Sequence, residues 1–545
     1  MIRLLFALFI VSKILLFAQQ TGARYLIITH DDYYDIVLPL AEWKTQKGLK
    51  AKITKLSEIG GDSTQIRDYV ADAYNTWLIK PEYLLLVGDK YQLPFPRRAG
   101  LQVCHTDNYY TNVTGDFQNE IIPGRFWVSD TLQAKTVVAK VMSYEKDPYM
   151  EDSMWFGRGV TIINLWPDPL PGDSNYWNVT RYAHSLMINA GFNHIDSLVD
   201  AYGHDSLDVI NAINHGCSYI TYRGEAWGRW YHPFGDIYPP HMSNGYKLSI
   251  VVSATCATID GMGYKWLRAG TPEEPKGIVG FFGTTTGLQG VSAERSALMR
   301  GTLTSIFIDS LSTLGQAAEA GRIEYFQLCG DSLDYDGWNC LGDPEMTVRT
   351  GTPRTIQVTH PSVCWTGVCT VQVSVHHSSV PIESALVCIK SQCDTTIYHY
   401  GRTNNVGQIE FIDTLTVTID SILVTVTARN TKPYCGLIAV HPGIEENQQL
   451  QECNTPFLVA YPNPCRNTIY IEYGLGQYAP EDMNLKIYDA TGRLIKSFNH
   501  VTNQIFDQVV WDGRDDAGKK LPSGVYFLKF QAGDYSATEK LLLIR

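Results

Sequence analysis

Little in this 545-residue sequence is built for a membrane span, a nucleic acid or a tightly held metal. After the first eighteen residues no run is long and apolar enough to predict a bilayer-spanning helix. Positive charge is scarce. Lys and Arg number 44 against 56 Asp and Glu, a net charge of −12 that argues against nucleic acid or an anionic membrane as the main partner. Of the twelve cysteines, the seven from Cys364 onward include no C-x2-C pair and have no histidine at ligand spacing, which disfavours zinc, and no cofactor is expected. Asp331, Asp334 and Asp336 in DSLDYDG approach a calcium loop without its downstream glutamate, so a structural calcium is the weaker reading beside an acidic surface turn.

What is present begins with an export signal. Met1–Ala18 carries Arg3, an apolar run from Leu4 to Phe17 interrupted by Lys13, and a small residue, Ala18, for cleavage. Export permits disulfides. Cys364/Cys369 and Cys388/Cys393 share a C-x4-C spacing that can close a hairpin, and Cys329 and Cys340 could pair across the loop before GDPEM.

From Arg24 onward, apolar β-branched runs alternate with amphipathic stretches: strand 25–29, helix 36–47, strand 49–56, helix 64–77, strand 83–87. This order predicts an α/β region with a parallel sheet wrapped by helices. A second round starts at Val160, and a single helix is expected over 297–319. The predicted organisation is an N-terminal α/β subdomain over 19–150 and a second, site-bearing one over 151–350. The pattern changes at Thr352-Pro353. Short alternating strands over 351–441 predict an immunoglobulin-like β-sandwich, 442–455 is a polar linker, and strand-turn units over 456–545 predict a second sandwich.

Two strand ends carry the chemistry. The run 218–222 stops at Arg223-Gly224-Glu225, and the run 248–252 stops at Ser253-Ala254-Thr255-Cys256. In open α/β sheets reactive groups collect at the carboxyl ends of neighbouring strands, so Glu225 and Cys256 are expected to share one crevice. A thiol there suggests a nucleophile.

YRGEAW (222–227), SATC (253–256), WLRAGTPEEPKGIVGFFG (266–283) and NCLGDPEM (339–346) resemble gingipain-type cysteine peptidases. YLLLVGD (83–89), TDNYY (106–110) and PGRFWV (123–128) fit the same pattern in the same order, so the resemblance spans about residues 24–349. It implies a caspase-like fold in two subdomains, thiol-dependent cleavage of a protein or peptide substrate, and Cys256 as nucleophile. The family's catalytic histidine falls on Glu225, where this sequence departs from the pattern. A carboxylate there would oppose thiolate formation and is too acidic to carry the thiol's proton. His232, on the loop leaving the same strand, is the candidate base, with Glu225 orienting its ring as the acid of a triad does. His241, His215 and His204 are weaker candidates. Asp107 and Glu120 are candidates for an acid beside the base, and Gly283 with Thr284–Thr286 could line a groove or donate to an oxyanion.

The alternative expectation is a non-catalytic surface protein that binds peptide or glycan on the same fold. YPNPCRNTIYIEY, NLKIYDATGRLI and VVWDGRDDAGKKLPSGVYFLKF resemble the C-terminal sandwich of proteins exported by the type IX system and of flagellar hook-capping proteins. That resemblance implies secretion or surface-attachment machinery as a partner.

Overall fold

The computed structural model describes residues 21–99, 103–116, 118–165, 173–288, 291–311, 313–330, 332–391, 397–416, 418–442, 456–465, 468–475, 483–498 and 506–544. The signal segment, Cys393 and most of the linker lie outside these residues. Contacts divide the chain into two units, 1–443 and 444–545.

The first unit contains strands β1 (Tyr25–Thr29), β2 (Ala51–Lys55), β3 (Tyr83–Val87), β4 (Arg97–Ala99), β5 (Val103–His105), β6 (Ile122–Phe126), β7 (Arg158–Ile163), β8 (His194–Val199), β9 (Tyr219–Arg223), β10 (Ser249–Ser253), β11 (Ile278–Thr284) and β12 (Trp338–Leu341). All but the β4–β5 hairpin form one sheet in the order β2-β1-β3-β6-β12-β11-β10-β9-β7-β8. The central strands β1, β3, β9, β10 and β11 are buried along their whole length, which is why they read as unbroken apolar runs.

The sheet is two parallel blocks of opposite direction. Strands β1, β2, β3, β6 and β12 run together, as do β7 to β11. The blocks meet where β11 pairs antiparallel with β12, Thr284 opposite Trp338 and Phe281 opposite Leu341. The two halves foreseen in the sequence therefore share one sheet, and their carboxyl ends point to opposite edges. The single helix expected over 297–319 is instead two, Ser292–Phe307 and Leu314–Cys329. Ser310 takes a positive φ of 60° in the break, and Thr313 caps the second helix. Both helices bury an apolar face, so the hydrophobic pattern runs through the break without marking it.

This opposed geometry decides where GDPEM goes. It follows β12 at the edge away from Cys256, and there it forms an ion cluster. Lys44 Nζ lies 2.8 Å from Glu145, 2.5 Å from Asp343 and 2.6 Å from Glu345, and Lys47 Nζ bridges Glu145 and Glu345. Tyr25 adds a hydrogen bond to Asp343 at 2.7 Å. The two ammonium groups occupy the space between the three carboxylates, and the motif ties the helix Tyr34–Gln46 to the sheet.

Residues 357–441 form two facing sheets, with Gln357–Thr359, Gly367–His377, Val380–Pro381 and Gln408–Leu415 in one. Val363–Trp365, Tyr434–His441, Ser421–Thr427, Leu386–Ser391 and Tyr398–Arg402 make the other. This sandwich rests on the α/β region: Tyr398 donates to Thr45 O at 3.1 Å and Arg349 to Thr431 O at 2.9 Å. Cys364 and Cys369 form a disulfide. The pairing of Cys329 with Cys340 does not occur. Cys340 is buried on β12, while Cys329 ends its helix beside Ser332, and both are free thiols. Cys388 is also free.

The second unit has its own core around Trp511, Leu485, Ile487, Leu528 and Phe530. A three-stranded sheet (Phe457–Tyr461, Ile469–Gly474, Phe506–Trp511) accompanies a four-stranded one (Leu494–Phe498, Met483–Asp489, Gly524–Ala532, Tyr535–Leu543).

Candidate active site

Glu225 and Cys256 stand beyond the carboxyl ends of the adjacent parallel strands β9 and β10, with Ser253 in register with Tyr222. The turn after β10 is tightly held. Ala254 N donates to Tyr222 O at 3.2 Å, the Thr255 hydroxyl donates to Gly224 O, and Ala257 N donates to Thr286 O at 2.7 Å. Ala257 takes a positive φ of 45°, which turns the chain sharply just after Cys256. The following turn approaches the loop after β9 so closely that a Cβ on Gly261 would lie 1.5 Å from Gly228 O. Lys140, buried without a carboxylate partner, donates to Trp266 O, Leu267 O and Lys276 O and fixes the end of the helix Tyr264–Leu267. Burial holds this lysine well below its ordinary pKa.

The loop after β9 folds back over the sheet edge. Trp230 stacks on Tyr222 with centroids 4.3 Å apart and donates to Ser253 Oγ at 2.9 Å, while Tyr231 N returns to Glu225 O. The Glu225 carboxylate accepts from Tyr176 OH at 3.3 Å.

Cys256 is 7% exposed, and its hydrogen-bond partners among the described residues are Arg295 and a carbonyl. Arg295 Nη1 lies 2.8 Å from the sulfur, and the sulfur lies 3.8 Å from Leu288 O. Arg295 is itself clamped by Asp334, Nη2 to Oδ1 at 2.6 Å and Nε to Oδ2 at 3.2 Å. Asp334 also accepts from Tyr325 OH at 2.9 Å and from the Thr286 hydroxyl. Burial works against ionisation of Asp334, but the Arg295 charge and these hydrogen bonds outweigh it and hold the carboxyl below its ordinary value. Arg295 is raised for the converse reason. A second buried guanidinium, Arg223, donates to Ser296 Oγ, Ala254 O and Ser292 O and lies over the Tyr176 ring at 4.1 Å. Burial, with Arg295 nearby, draws Arg223 down to about 10.

His232 is exposed and lines a cavity of about 450 Å³ together with Trp227, Arg229, Trp230, Tyr231, Gly235 and Asp236. The structure therefore brings Glu225 and Cys256 to one sheet edge and places Arg295, rather than His232, on the sulfur. His204 and His215 line a groove beside β8, and His241 packs on Tyr238. Asp107 is the counter-ion of buried Arg125 at 2.7 Å, and Glu120 holds the loop at Val113 and Thr114. Asp334 and Asp336 each pair with an arginine, Arg295 and Arg98, while Asp331 lies outside the described residues. The Thr285 hydroxyl accepts from His105 N and donates to His105 O, and Thr286 serves the Cys256 turn and Asp334. Arg295 escaped sequence reading because it lies 39 residues from Cys256 on a helix with no motif of its own.

A thiol at a parallel strand end, on two opposed sheet blocks with a sandwich behind them, defines the architecture of a caspase-like peptidase fold. Residues 18–349 match peptidase family C25, and the chain belongs to that family. Residues 459–544 match the secretion system C-terminal sorting domain, which together with its gingipain relatives marks the protein as secreted or cell-surface. It is 25% identical over 364 residues to gingipain R2 of Porphyromonas gingivalis, covering 63% of this chain and 48% of that one. Against Lys-gingipain of the same organism it is 24% identical over 203 residues, 36% of this chain and 11% of that one. It thus spans about half, or less, of the length of these curated relatives. The crystal structure of the Arg-specific cysteine proteinase gingipain R superimposes with a TM-score of 0.67 at 20% identity, covering 77% of this chain and 98% of that one. The complex of the RgpB pro- and mature domains gives 0.68 at 20% identity, covering 76% and 100%. These likenesses show the same fold. No helix among the described residues is long and apolar enough to cross a membrane.

Proposed function

We propose that this protein is an exported member of family C25 whose cleft engages polypeptide without hydrolysing it at Cys256. The observation that carries this reading is the 2.8 Å contact between Arg295 and the sulfur. Amide cleavage by a thiol needs a group that takes the thiol's proton and later delivers one to the leaving amine. A guanidinium stays protonated at any working pH and does neither. Glu225, the residue at the strand end, is an acceptor with the wrong charge beside a nucleophilic sulfur. Family membership and the exposed aromatic rim of Trp227 and Tyr238 support a polypeptide ligand.

The competing reading is a cysteine-type endopeptidase with Cys256 as nucleophile, His232 as base and Glu225 as orienter. It is favoured by the placement of Cys256 and Glu225 at adjacent strand ends, and it requires the loop 226–236 to rearrange until the imidazole reaches the sulfur. Equilibrium binding to a randomised peptide library, followed by mass spectrometry of the retained peptides, separates the two. Intact retained peptides are expected, and truncated ones that disappear with Cys256→Ala would favour the endopeptidase.

A further inference from the structure

An exposed indole stands beside the Cys256 turn, set there by two glycines. Residues 226–230 form a tight turn in which Ala226 bridges to Trp230, Trp227 N donates to Arg229 O at 3.0 Å, and Gly228 takes a positive φ of 70°. Two contacts tie this turn to the thiol. Gly228 N donates at 3.0 Å to the carbonyl of Ala257, the residue after Cys256. The benzo edge of Trp227 packs on Gly287 so closely that a Cβ there would lie 2.0 Å from Cζ3. The next residue, Leu288, places its carbonyl 3.8 Å from the sulfur. Even so, Trp227 is 62% exposed. An indole held against backbone on one side and open on the other has already lost much of its freedom. A ring that stacks on it then needs to lose only its own.

The charges around the indole select what stacks there. In the cavity of about 450 Å³ that Trp227 and Trp230 line, Arg229 Nη1 donates to Asp236 Oδ1 at 3.1 Å and to the Tyr238 hydroxyl. With histidine counted neutral, this pair leaves the lining without net charge. An ammonium or guanidinium over the indole would gain a cation–π contact, but it would meet Arg229 while Asp236 is already paired. A carboxylate would meet Asp236 while Arg229 is already paired. A neutral side chain meets neither repulsion, and a planar one adds the stacked or edge-on geometry that aromatic pairs favour. We propose that Trp227 and this cavity form a subsite for an aromatic side chain of the bound polypeptide, an inference that rests on the polypeptide-binding reading and names the class of residue recognised. Trp227 acts here on specificity and takes no part in any bond-making step.

The experiment titrates the full-length protein at pH 7 with capped pentapeptides identical except for a central Phe, Leu, Arg or Glu, and reads binding by calorimetry. The Phe peptide is expected to bind about three- to tenfold more tightly than the Leu peptide, the increment an aromatic pair adds beyond its buried area. It should also lead the Arg and Glu peptides, and peptides retained from a randomised library should be enriched in Phe, Tyr and Trp. Trp227→Ala should abolish the lead and Trp227→Phe should keep part of it. Gly287→Ala leaves the indole in the chain but displaces it, and should shrink the lead as well. Arg229→Gln should raise the affinity of the Arg peptide, because Asp236 then meets it unpaired. Equal binding of the Phe and Leu peptides, a library without aromatic enrichment, or a lead that survives Trp227→Ala overturns the proposal and leaves polypeptide binding standing. Absence of binding by all four peptides and by the library defeats the polypeptide reading and the proposal together. Cleavage that vanishes with Cys256→Ala defeats only the non-hydrolytic reading, and the Phe-over-Leu ranking is then read from kcat/KM.

Discussion

Asp334→Ala is the perturbation through which the thiol centre should report its own construction. Asp334 is wholly buried, and it accepts two hydrogen bonds from Arg295, one from Tyr325 and one from Thr286. Removing one partner of a buried ion pair costs about 3–5 kcal/mol, because the remaining charge stays buried and uncompensated. Orphaning the Tyr325 and Thr286 hydroxyls adds to this by as much as about 1–3 kcal/mol each where they find no new acceptor. Against a typical total of about 5–15 kcal/mol the change is large. Urea denaturation followed by tryptophan fluorescence should show a lower midpoint for the α/β region, which holds buried Trp43, Trp155, Trp230, Trp266 and Trp338. Asp334→Asn keeps one carbonyl acceptor and should fall between wild type and Asp334→Ala. The double variant Arg295→Met/Asp334→Ala should recover much of the loss, since both buried charges are then gone. A stability for Asp334→Ala within about 1 kcal/mol of wild type, in the range of an ordinary surface change, would mean that the Arg295–Asp334 pair does not hold this centre together.

Three further outcomes follow from the same contacts. For Glu145, burial opposes ionisation but Lys44 and Lys47 outweigh it and hold the carboxyl below its ordinary value. Its contribution is complete above the unfolded value of about 4.3 and is lost as pH falls through the lower folded value. The stability gap between wild type and Glu145→Gln should therefore narrow from pH 7 to pH 3, and a constant gap would contradict this. Lys140→Met should leave the carbonyls of Trp266, Leu267 and Lys276 without their donor and cost about 2–4 kcal/mol by thermal unfolding. Deleting residues 456–545 should leave the first unit folded by circular dichroism yet retained inside the cell, and normal surface delivery of the truncated chain would argue against a sorting role.

The fold was legible where burial is two-sided. Strands β1, β3, β9, β10 and β11 show as apolar runs because both faces are covered, and the two sandwiches show as alternation because one face is wet. The division of 292–329 into two helices was hidden because both bury apolar faces on either side of a short turn. At the site, position along a strand located Cys256 and Glu225. What touches the sulfur depended on tertiary packing, since Arg295 arrives from a helix that follows β11. Sequence proximity of His232 to Glu225 likewise says nothing about which group meets the sulfur. Trp230 stacks on Tyr222, and the His232 ring lines a cavity with Trp227, Arg229 and Asp236 rather than hydrogen-bonding the sulfur. GDPEM carries chemistry-bearing residue types, yet the opposed strand direction puts it at the far edge of the sheet.

Amide turnover itself decides most directly whether Cys256 hydrolyses peptide bonds. Purified full-length protein and its Cys256→Ala variant are incubated under reducing conditions at pH 7 with a mixture of fluorogenic peptide amides covering charged, aromatic and aliphatic residues before the scissile bond. No difference between the two proteins is expected, because the group on the sulfur is a guanidinium that neither accepts nor delivers the proton. Sustained turnover by the unaltered protein that vanishes with Cys256→Ala would contradict it.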